Sequence, residues 1–133
     1  MKIVLDANIF ISSFFWGGNP RTVLERTIIG IDELFVSKEI LDEINDVIGR
    51  PKFHANRKEI NHFLNSIEEI ASKVVPQRRI SNGSRDKTDN KYIECGITAH
   101  VDYIISGDIH LLEIKEYESI KIVTAKDYLE ITK

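Results

Sequence analysis

The chain has 133 residues, an ordinary size for one domain, and 42% of them are hydrophobic, which is enough to bury a core. The net charge of −3 at pH 7 gives no general attraction to nucleic acid, so any such binding must come from local charge. The single cysteine, Cys95, excludes an internal disulfide, and no apolar stretch approaches the roughly 20 residues that span a bilayer. We therefore expect one domain over residues 1–133 that is cytoplasmic and does not bind membranes.

Apolar runs alternate with helical patterns along the chain, which is typical of βαβ units and a parallel sheet. The first half predicts a strand over 2–6, an apolar segment over 8–15, a helix over 20–30, a strand over 33–37 and a helix that ends near 49. The second half predicts a helix over 56–72, a strand over 73–75, a polar loop over 77–87, a helix over 89–100, a strand over 103–106, a helical turn over 109–114, a strand over 120–124 and a helix over 125–131. Together these elements predict one α/β domain.

Four acidic residues lie where a buried element gives way to a loop or a helix. They are Asp6, Glu43, Asp89 and Asp108. Because residues at the carboxyl ends of parallel strands meet in one crevice, we expect these side chains to lie close together. Carboxylates in one crevice repel one another and stay ionised together only around a cation. The sequence therefore predicts a metal site made of carboxylates, which suggests chemistry on phosphate esters.

Each acid also has an ordinary structural explanation. An aspartate after a first strand, such as Asp6, often caps the next helix, and a glutamate on a helix, such as Glu43, is usually a solvated surface group. Either Asp86 or Asp89 could cap the helix that follows them. Asn8 brings no charge but can position a water or a ligand oxygen. The grouping of the four acids, and no single member, favours the metal site.

Basic side chains occur in two clusters that suit phosphate contacts near the rim of such a site. One includes Arg50 and Lys52, and the other, which leads to Asp89, contains Arg78, Arg79, Arg85 and Lys87. Either cluster can also be explained as ordinary charged surface that keeps the protein in solution. The aromatic run 14–16 is expected to pack, although an exposed Trp16 could stack on a base or be buried against a partner.

Four segments in chain order resemble the PIN-domain ribonucleases, and within them the stand-alone, VapC-like toxins of toxin–antitoxin pairs. They are Ile3-Val4-Leu5-Asp6-Ala7-Asn8, Ser37 to Ile44 leading to Arg50-Pro51-Lys52-Phe53, Arg85 to Lys91, and Asp102 to Asp108 followed by Leu111-Leu112. The chain departs from close relatives at Ala7, where threonine is commoner, and at Lys87, where proline is commoner. Both departures touch the edges of the site and leave the four carboxylates intact.

The resemblance implies a three-layer α/β/α sandwich around a central, mostly parallel sheet of about five strands. It also implies a metal-dependent endoribonuclease that uses one or two Mg²⁺ or Mn²⁺ ions at Asp6, Glu43, Asp89 and Asp108. Asn8 and Ser106 fall on the family's supporting polar positions, and Asp86 is an additional outer ligand in this interpretation. The expected partners are an RNA substrate, an antitoxin protein and a second copy of the chain.

Four alternatives remain open from the residues. A PIN-like domain can serve as a non-catalytic binding module, although loss of a site carboxylate would be its signature. A housekeeping RNA-processing nuclease would carry the same site without an antitoxin. A haloacid-dehalogenase-type phosphatase also places aspartates around Mg²⁺, but it needs an acid two residues after the first, where this chain has Asn8. A receiver domain needs a phosphoacceptor aspartate after a middle strand, and Val74-Val75-Pro76 offers none.

Overall fold

The computed structural model describes all residues, 1–133, as seven α-helices and six β-strands. The first half contains β1 (Lys2–Leu5), α1 (Ala7–Phe15), α2 (Gly18–Ile28), β2 (Glu33–Val36), α3 (Lys38–Ile48) and α4 (Arg57–Ile70). The second half contains β3 (Ser72–Lys73), α5 (Asn90–Ala99), β4 (Tyr103–Ile105), α6 (Ile109–Leu112), β5 (Glu116–Tyr117), β6 (Ile120–Val123) and α7 (Ala125–Ile131). Two 3₁₀ turns, Pro51–Phe53 and Lys87–Asp89, complete the regular structure.

The sheet has the strand order β3-β2-β1-β4-β6-β5, and every pairing is parallel except that of β5 with β6. The chain first moves outward from β1 to β3 and then returns to place β4 on the other side of β1. Because crossovers between parallel strands are right-handed, this reversal puts helices on both faces of the sheet. The predicted α/β/α architecture with a mostly parallel sheet is confirmed.

The reversal also creates a crevice between β1 and β4, at the carboxyl ends of the strands, which is where open α/β sheets bind ligands. Leu5 of β1 lies beside Ile105 of β4 in the parallel register. The residues that follow these two strands, Asp6 and Ser106, are therefore neighbours in space although they are far apart in sequence. Strand pairing thus positions the first acidic residue before any side-chain contact is made.

Helix starts follow from local capping. Ser37 accepts a hydrogen bond from the backbone N–H of Ile40 at 3.3 Å and begins α3, the helix that carries Glu43. Asn56 and Glu59 form a reciprocal capping box at the start of α4. The helix α2 begins at Gly18, two residues before the predicted start, and its proline therefore lies in the first turn, where no intrahelical donor is lost.

The sheet has one strand more than the five expected, because the edge strand β5 was not predicted. It forms a two-residue hairpin with β6 through Glu118 and Ser119, and both residues have positive φ. Such turns usually carry Asn-Gly or Asp-Gly, so Glu-Ser gave no signal. The strand β3 lies at Ser72–Lys73 instead of 73–75 and is exposed, so it shows no apolar alternation.

The main core is a cluster of 28 buried residues around the two central strands, and a smaller cluster contains Ile11, Ile48 and Ile60. Ile3, Val4 and Leu5 of β1, with Ile104 and Ile105 of β4, are fully buried. Strands covered on both faces read as continuous apolar runs, which is how these segments appear in the sequence. None of the helices combines the length and the apolar character that a bilayer crossing requires.

Replacing Ile104 with alanine should lower the free energy of unfolding by about 2–5 kcal/mol, because a fully buried side chain of the central strand leaves a cavity. Ile29→Ala is the matched control, since that side chain is 70% exposed and its loss should cost less than about 0.5 kcal/mol. Urea unfolding followed by circular dichroism measures both. Equal losses in the two variants would contradict the assignment of β4 to the centre of the core.

Candidate active site

Asp6 stands at the carboxyl end of β1 and caps α1. Its backbone N–H donates to the carbonyl of Ile105 at 3.1 Å, which continues the strand pairing, and its Oδ1 accepts from the N–H of Ile9 at 3.0 Å. Its Oδ2 accepts a hydrogen bond from the hydroxyl of Ser106. The side chain is buried. The structure therefore gives Asp6 the capping role that the sequence allows and also places it at the bottom of the crevice.

Ser106 connects Asp6 to Asp108. The same Ser106 oxygen that donates to Asp6 accepts a hydrogen bond from the backbone N–H of Asp108 at 2.9 Å. The Oδ1 of Asp108 then accepts from the N–H of His110 at 2.7 Å and caps the short helix α6. One fully buried hydroxyl thus fixes the relative positions of two acidic residues.

Glu43 points from α3 into the crevice and has two protein partners. Its Oε2 accepts a hydrogen bond from the hydroxyl of Tyr92, and its Oε1 lies 3.1 Å from the Nζ of Lys91. Tyr92 is buried, and its hydroxyl oxygen also accepts from the N–H of Ala7 at 3.1 Å. A single phenol therefore ties Glu43 to the first turn of α1.

Sequence reasoning missed both Tyr92 and Lys91 as site residues. Both residues lie in the first turn of α5, two and three positions after Asp89. Side chains of one helical turn that lie near Asp89 can reach the same crevice. That proximity was the available signal. A tyrosine in an apolar helical pattern is typical of the core, and an isolated lysine is typical of the surface. Neither residue type therefore indicated a role in the site.

Asp86 and Asp89 differ in their surroundings. Asp86 is exposed, and its Oδ1 accepts from the N–H and the hydroxyl of Thr88 at 3.0 and 2.7 Å, so it caps the 3₁₀ turn. Asp89 is buried at the N-terminal position of α5 and its side chain makes no capping hydrogen bond. Its Oδ2 is buried without any hydrogen-bond partner. A buried carboxylate oxygen left unpaired is costly, so its position indicates a ligand.

These side chains line one cleft of about 200 Å³, which we call the acidic cleft. All four predicted acids reach it, together with Asn8, Asp86, Arg50, Tyr92, Ala7, Val47 and Thr88. No three Asp, Glu, His or Cys side chains are arranged to hold one metal ion as they stand. The donors are nevertheless hard oxygens of the kind that Mg²⁺ and Mn²⁺ prefer, and one of them is unpaired.

Comparison with known proteins identifies the family of the chain. A family model of the PIN domain matches residues 2–110, which is most of the chain. The chain belongs to the PIN-domain family. PIN domains are generally nucleases, and the acidic cleft lies within the matched part of this one.

Among solved structures, the PIN domain is similar to a chain in the crystal structure of VapBC2 from Rickettsia felis bound to a DNA fragment from their promoter. The superposition has a TM-score of 0.62 and covers 92% of this chain and 97% of that chain, at 11% sequence identity. Such a likeness establishes the fold over nearly the whole length of both chains. A comparison with curated proteins gave no match.

The electrostatics of the PIN domain's cleft are those of crowded carboxylates. Burial raises the pKa of Asp6 to about 6, although hydrogen bonds from Ser106, Ile9 and Gly107 oppose the shift. Burial also raises the pKa of Asp89 to about 7, and the charges of the neighbouring acids add to the effect. A bound cation would reverse both shifts, because it favours the ionised form.

Four of the six basic residues predicted to contact RNA make ion pairs within the PIN domain. Arg78 pairs with Glu118, Arg79 with Glu39 and Glu94, and Arg85 with Glu113. Arg50 lines the acidic cleft, and its Nη2 lies 3.8 Å from the Oδ2 of Asp46. Lys52 lies over the ring of Phe53, and Lys87 is exposed. Lys52 and Lys87 are therefore the predicted cations without an ion pair, and Arg50 has only the exposed Asp46 as a partner, a contact that contributes little.

Replacing Asp89 with asparagine should stabilise the metal-free PIN domain at pH 8 and leave it almost unchanged near pH 4. The folded protein holds a proton on Asp89 up to about pH 7, whereas the unfolded chain releases it near pH 4. Its contribution to stability is therefore complete below about pH 4 and lost as the pH rises through about 7. We expect the melting temperature of the variant at pH 8 to exceed that of the wild type by about 3 °C or more.

Differential scanning fluorimetry with EDTA across this pH range measures the difference. Asp42→Asn is the control, since Asp42 lies on the exposed face of α3 and should shift the melting temperature little at any pH. A destabilised Asp89→Asn protein at pH 8 would show that Asp89 is a structural cap.

Proposed function

We propose that this PIN domain is a metal-dependent endoribonuclease that hydrolyses RNA phosphodiester bonds, and that it is the toxin of a toxin–antitoxin pair. The observation that carries the proposal is the convergence of Asp6, Glu43, Asp89 and Asp108 on one cleft of the domain. Burial raises the pKa of Asp6 and of Asp89, and one buried oxygen of Asp89 is unpaired, which is costly to the fold unless a cation compensates it.

The residues that would hold one or two Mg²⁺ or Mn²⁺ ions are Asp6, Asp89 and Asp108, with Asp86 at the outer edge. A bound ion of this type lowers the pKa of a water ligand and stabilises charge on the phosphoryl oxygens. Glu43 is held by Tyr92 and Lys91, so we assign it to accepting the proton of the attacking water or to completing the ligand set. Asn8 lines the same cleft and is suited to orienting a water or a phosphate oxygen.

Arg50 provides positive charge at the acidic cleft, where a substrate phosphate has to approach four carboxylates. Lys52 and Lys87 extend this charge along the rim in our proposal. Phosphate contacts of this kind give affinity that depends on salt and carries little sequence preference. The RNA substrate is proposed on the family resemblance together with this local distribution of charge.

The toxin assignment draws on the likeness to the VapBC2 structure. An antitoxin partner and a homodimer are parts of the proposal that growth and solution experiments test. Induced expression of the wild-type chain should arrest bacterial growth, and Asp6→Asn should abolish the arrest. Normal growth with an active nuclease would favour the alternative of a housekeeping RNA-processing enzyme.

The direct test is cleavage of single-stranded RNA with Mn²⁺, with Mg²⁺ and with EDTA. The wild-type protein should cut with metal and not with EDTA, and Asp6→Asn should lose activity by at least about 100-fold, because a carboxylate ligand is lost while an N-cap acceptor is kept. Asp42→Asn, which changes an exposed acid one residue from Glu43, should remain active.

Activity that survives in Asp6→Asn would mean that the acidic cleft does not carry out the reaction. A folded wild-type protein that binds metal and RNA but cuts no RNA would favour the alternative of a non-catalytic binding module.

Tyr92→Phe tests how Glu43 is positioned. Removing the hydroxyl breaks the link between Glu43 and the first turn of α1, and loss of such a supporting contact typically costs about 10- to 100-fold in activity or metal affinity. Tyr117→Phe is the control, because its hydroxyl bonds the exposed Asn82 away from the cleft. Cleavage rates at saturating metal and Mn²⁺ affinity by calorimetry are measured together. Wild-type values of both in Tyr92→Phe would remove Tyr92 from the site.

A further inference from the structure

Five aromatic side chains form a continuous cluster beside the acidic cleft, which we call the aromatic strip. Its members are Phe14, Phe15, Trp16, Phe53 and Phe63. The rings of Phe15 and Phe53 stack with centroids 5.0 Å apart, and the ring of Trp16 lies 5.6 Å from Phe15 and 6.2 Å from Phe53. The strip is therefore a packed surface whose rings hold one another in place.

The outer end of the aromatic strip is unusually exposed. Trp16 has 70% of its surface accessible, while Phe15 and Phe53 behind it are half-buried. The exposed face of a large apolar ring contributes no hydrophobic stabilisation to the fold, because it stays in contact with water. Exposed surfaces of this kind mark binding sites more often than they mark structural needs.

The aromatic strip is connected to the acidic cleft by two elements. The helix α1 (Ala7–Phe15) has Asp6 in the cleft as its N-cap and Trp16 as its C-cap, and its nine residues span about 14 Å. Arg50 lines the cleft and directly precedes the 3₁₀ turn that carries Phe53. A chain of a few nucleotides leaving the cleft past Arg50 would therefore reach Phe53 and then Trp16.

Positive charge accompanies the aromatic strip. The Nζ of Lys52 lies 5.1 Å from the centre of the Phe53 ring, and Arg50, which lines the cleft, is the N-cap of the turn that carries Phe53. Exposed aromatic faces beside cations are the pattern by which proteins hold single-stranded nucleic acid, since bases stack on the rings while phosphates meet the charges. A protein segment that covered the strip would need apolar side chains for the rings and acidic ones for Lys52 and Arg50, whereas every nucleotide of a single strand supplies both a base and a phosphate.

We propose that Trp16 and Phe53 form a stacking site for bases of single-stranded RNA that extends from the acidic cleft. This inference rests on the proposed function, because it assigns the same RNA a second point of contact. Stacking on an aromatic side chain is worth about 5- to 150-fold in affinity per base, without much sequence preference. The strip would therefore raise affinity for single strands and set the direction in which the RNA leaves the cleft.

Trp16 is the only tryptophan in the chain, so its fluorescence reports on this site alone. Asp6→Asn protein, in which the RNA stays intact, is titrated with a mixed-sequence single-stranded RNA oligonucleotide and with an oligonucleotide of equal length whose bases are missing. The RNA should quench Trp16 emission and the abasic strand should not, although both carry the phosphates. Equal quenching by the two strands, or no quenching while a labelled RNA is bound by anisotropy, would overturn the proposal.

The second measurement uses variants. Trp16→Ala and Phe53→Ala should each weaken RNA binding about 5- to 150-fold, and Trp16→Phe should recover part of the loss. Ile29→Ala removes a side chain that is equally exposed, at 70%, and should leave RNA binding unchanged. Loss of binding in Ile29→Ala, or none in Trp16→Ala, would contradict the assignment.

The outcomes separate this inference from the proposed nuclease activity. In the wild-type background, Trp16→Ala should raise KM for RNA and leave kcat nearly unchanged, since the strip lies outside the acidic cleft. A wild-type enzyme that cuts RNA while Trp16→Ala has an unaltered KM would remove the stacking site and keep the nuclease. Base-dependent quenching in a protein that cuts no RNA would support the stacking site and contradict the nuclease activity.

The same fluorescence also tests contact between copies of the chain. A blue shift of Trp16 emission that grows with protein concentration in the absence of RNA would assign the strip to such a contact and overturn the proposal.

Discussion

The hydrogen bonds of Ser106 are the constraint on which the rest of the site depends. Parallel pairing of β1 with β4 brings Asp6 and Ser106 together at the point where the strand order reverses. The Ser106 hydroxyl then donates to Asp6 while its oxygen accepts from the N–H of Asp108. Two acids that repel each other are thereby fixed at one edge of a rigid sheet. Preorganisation of this type reduces how far the side chains have to move when a cation binds.

The crowded carboxylates repel one another and destabilise the fold, and neighbouring side chains offset part of this repulsion. Lys91 and Tyr92 hold Glu43, and Thr88 holds Asp86, so these acids have partners without a metal. Asp89 has a buried oxygen with none, and its pKa is raised to about 7. The unpaired charge lies at the carboxyl edge of the sheet, while the core beneath it is apolar. Such a distribution is expected where function, and not stability, selects the residues.

The sequence predicted the elements and the four acids because both follow from local patterns. Continuous apolar runs such as 103–106 indicate buried parallel strands, and acids at their ends indicate the crevice. The β5 hairpin was missed because its strained turn, Glu118-Ser119, lacks the residues that usually mark one. The roles of Tyr92 and Lys91 were missed because they depend on how α5 packs against α3, which no local pattern records. The ion pairs of Arg78 and Arg79 reach across about 40 residues and were equally invisible.

Our central proposal is that the acidic cleft binds divalent cations. Isothermal titration of Mn²⁺ into the metal-free protein at pH 8 tests it most directly, with the double variant Asp6→Asn/Asp89→Asn measured beside it. We expect saturable binding of one or two ions per chain to the wild type and loss of that binding in the double variant. Absence of binding to a folded wild-type protein, or equal binding to both proteins, would contradict it.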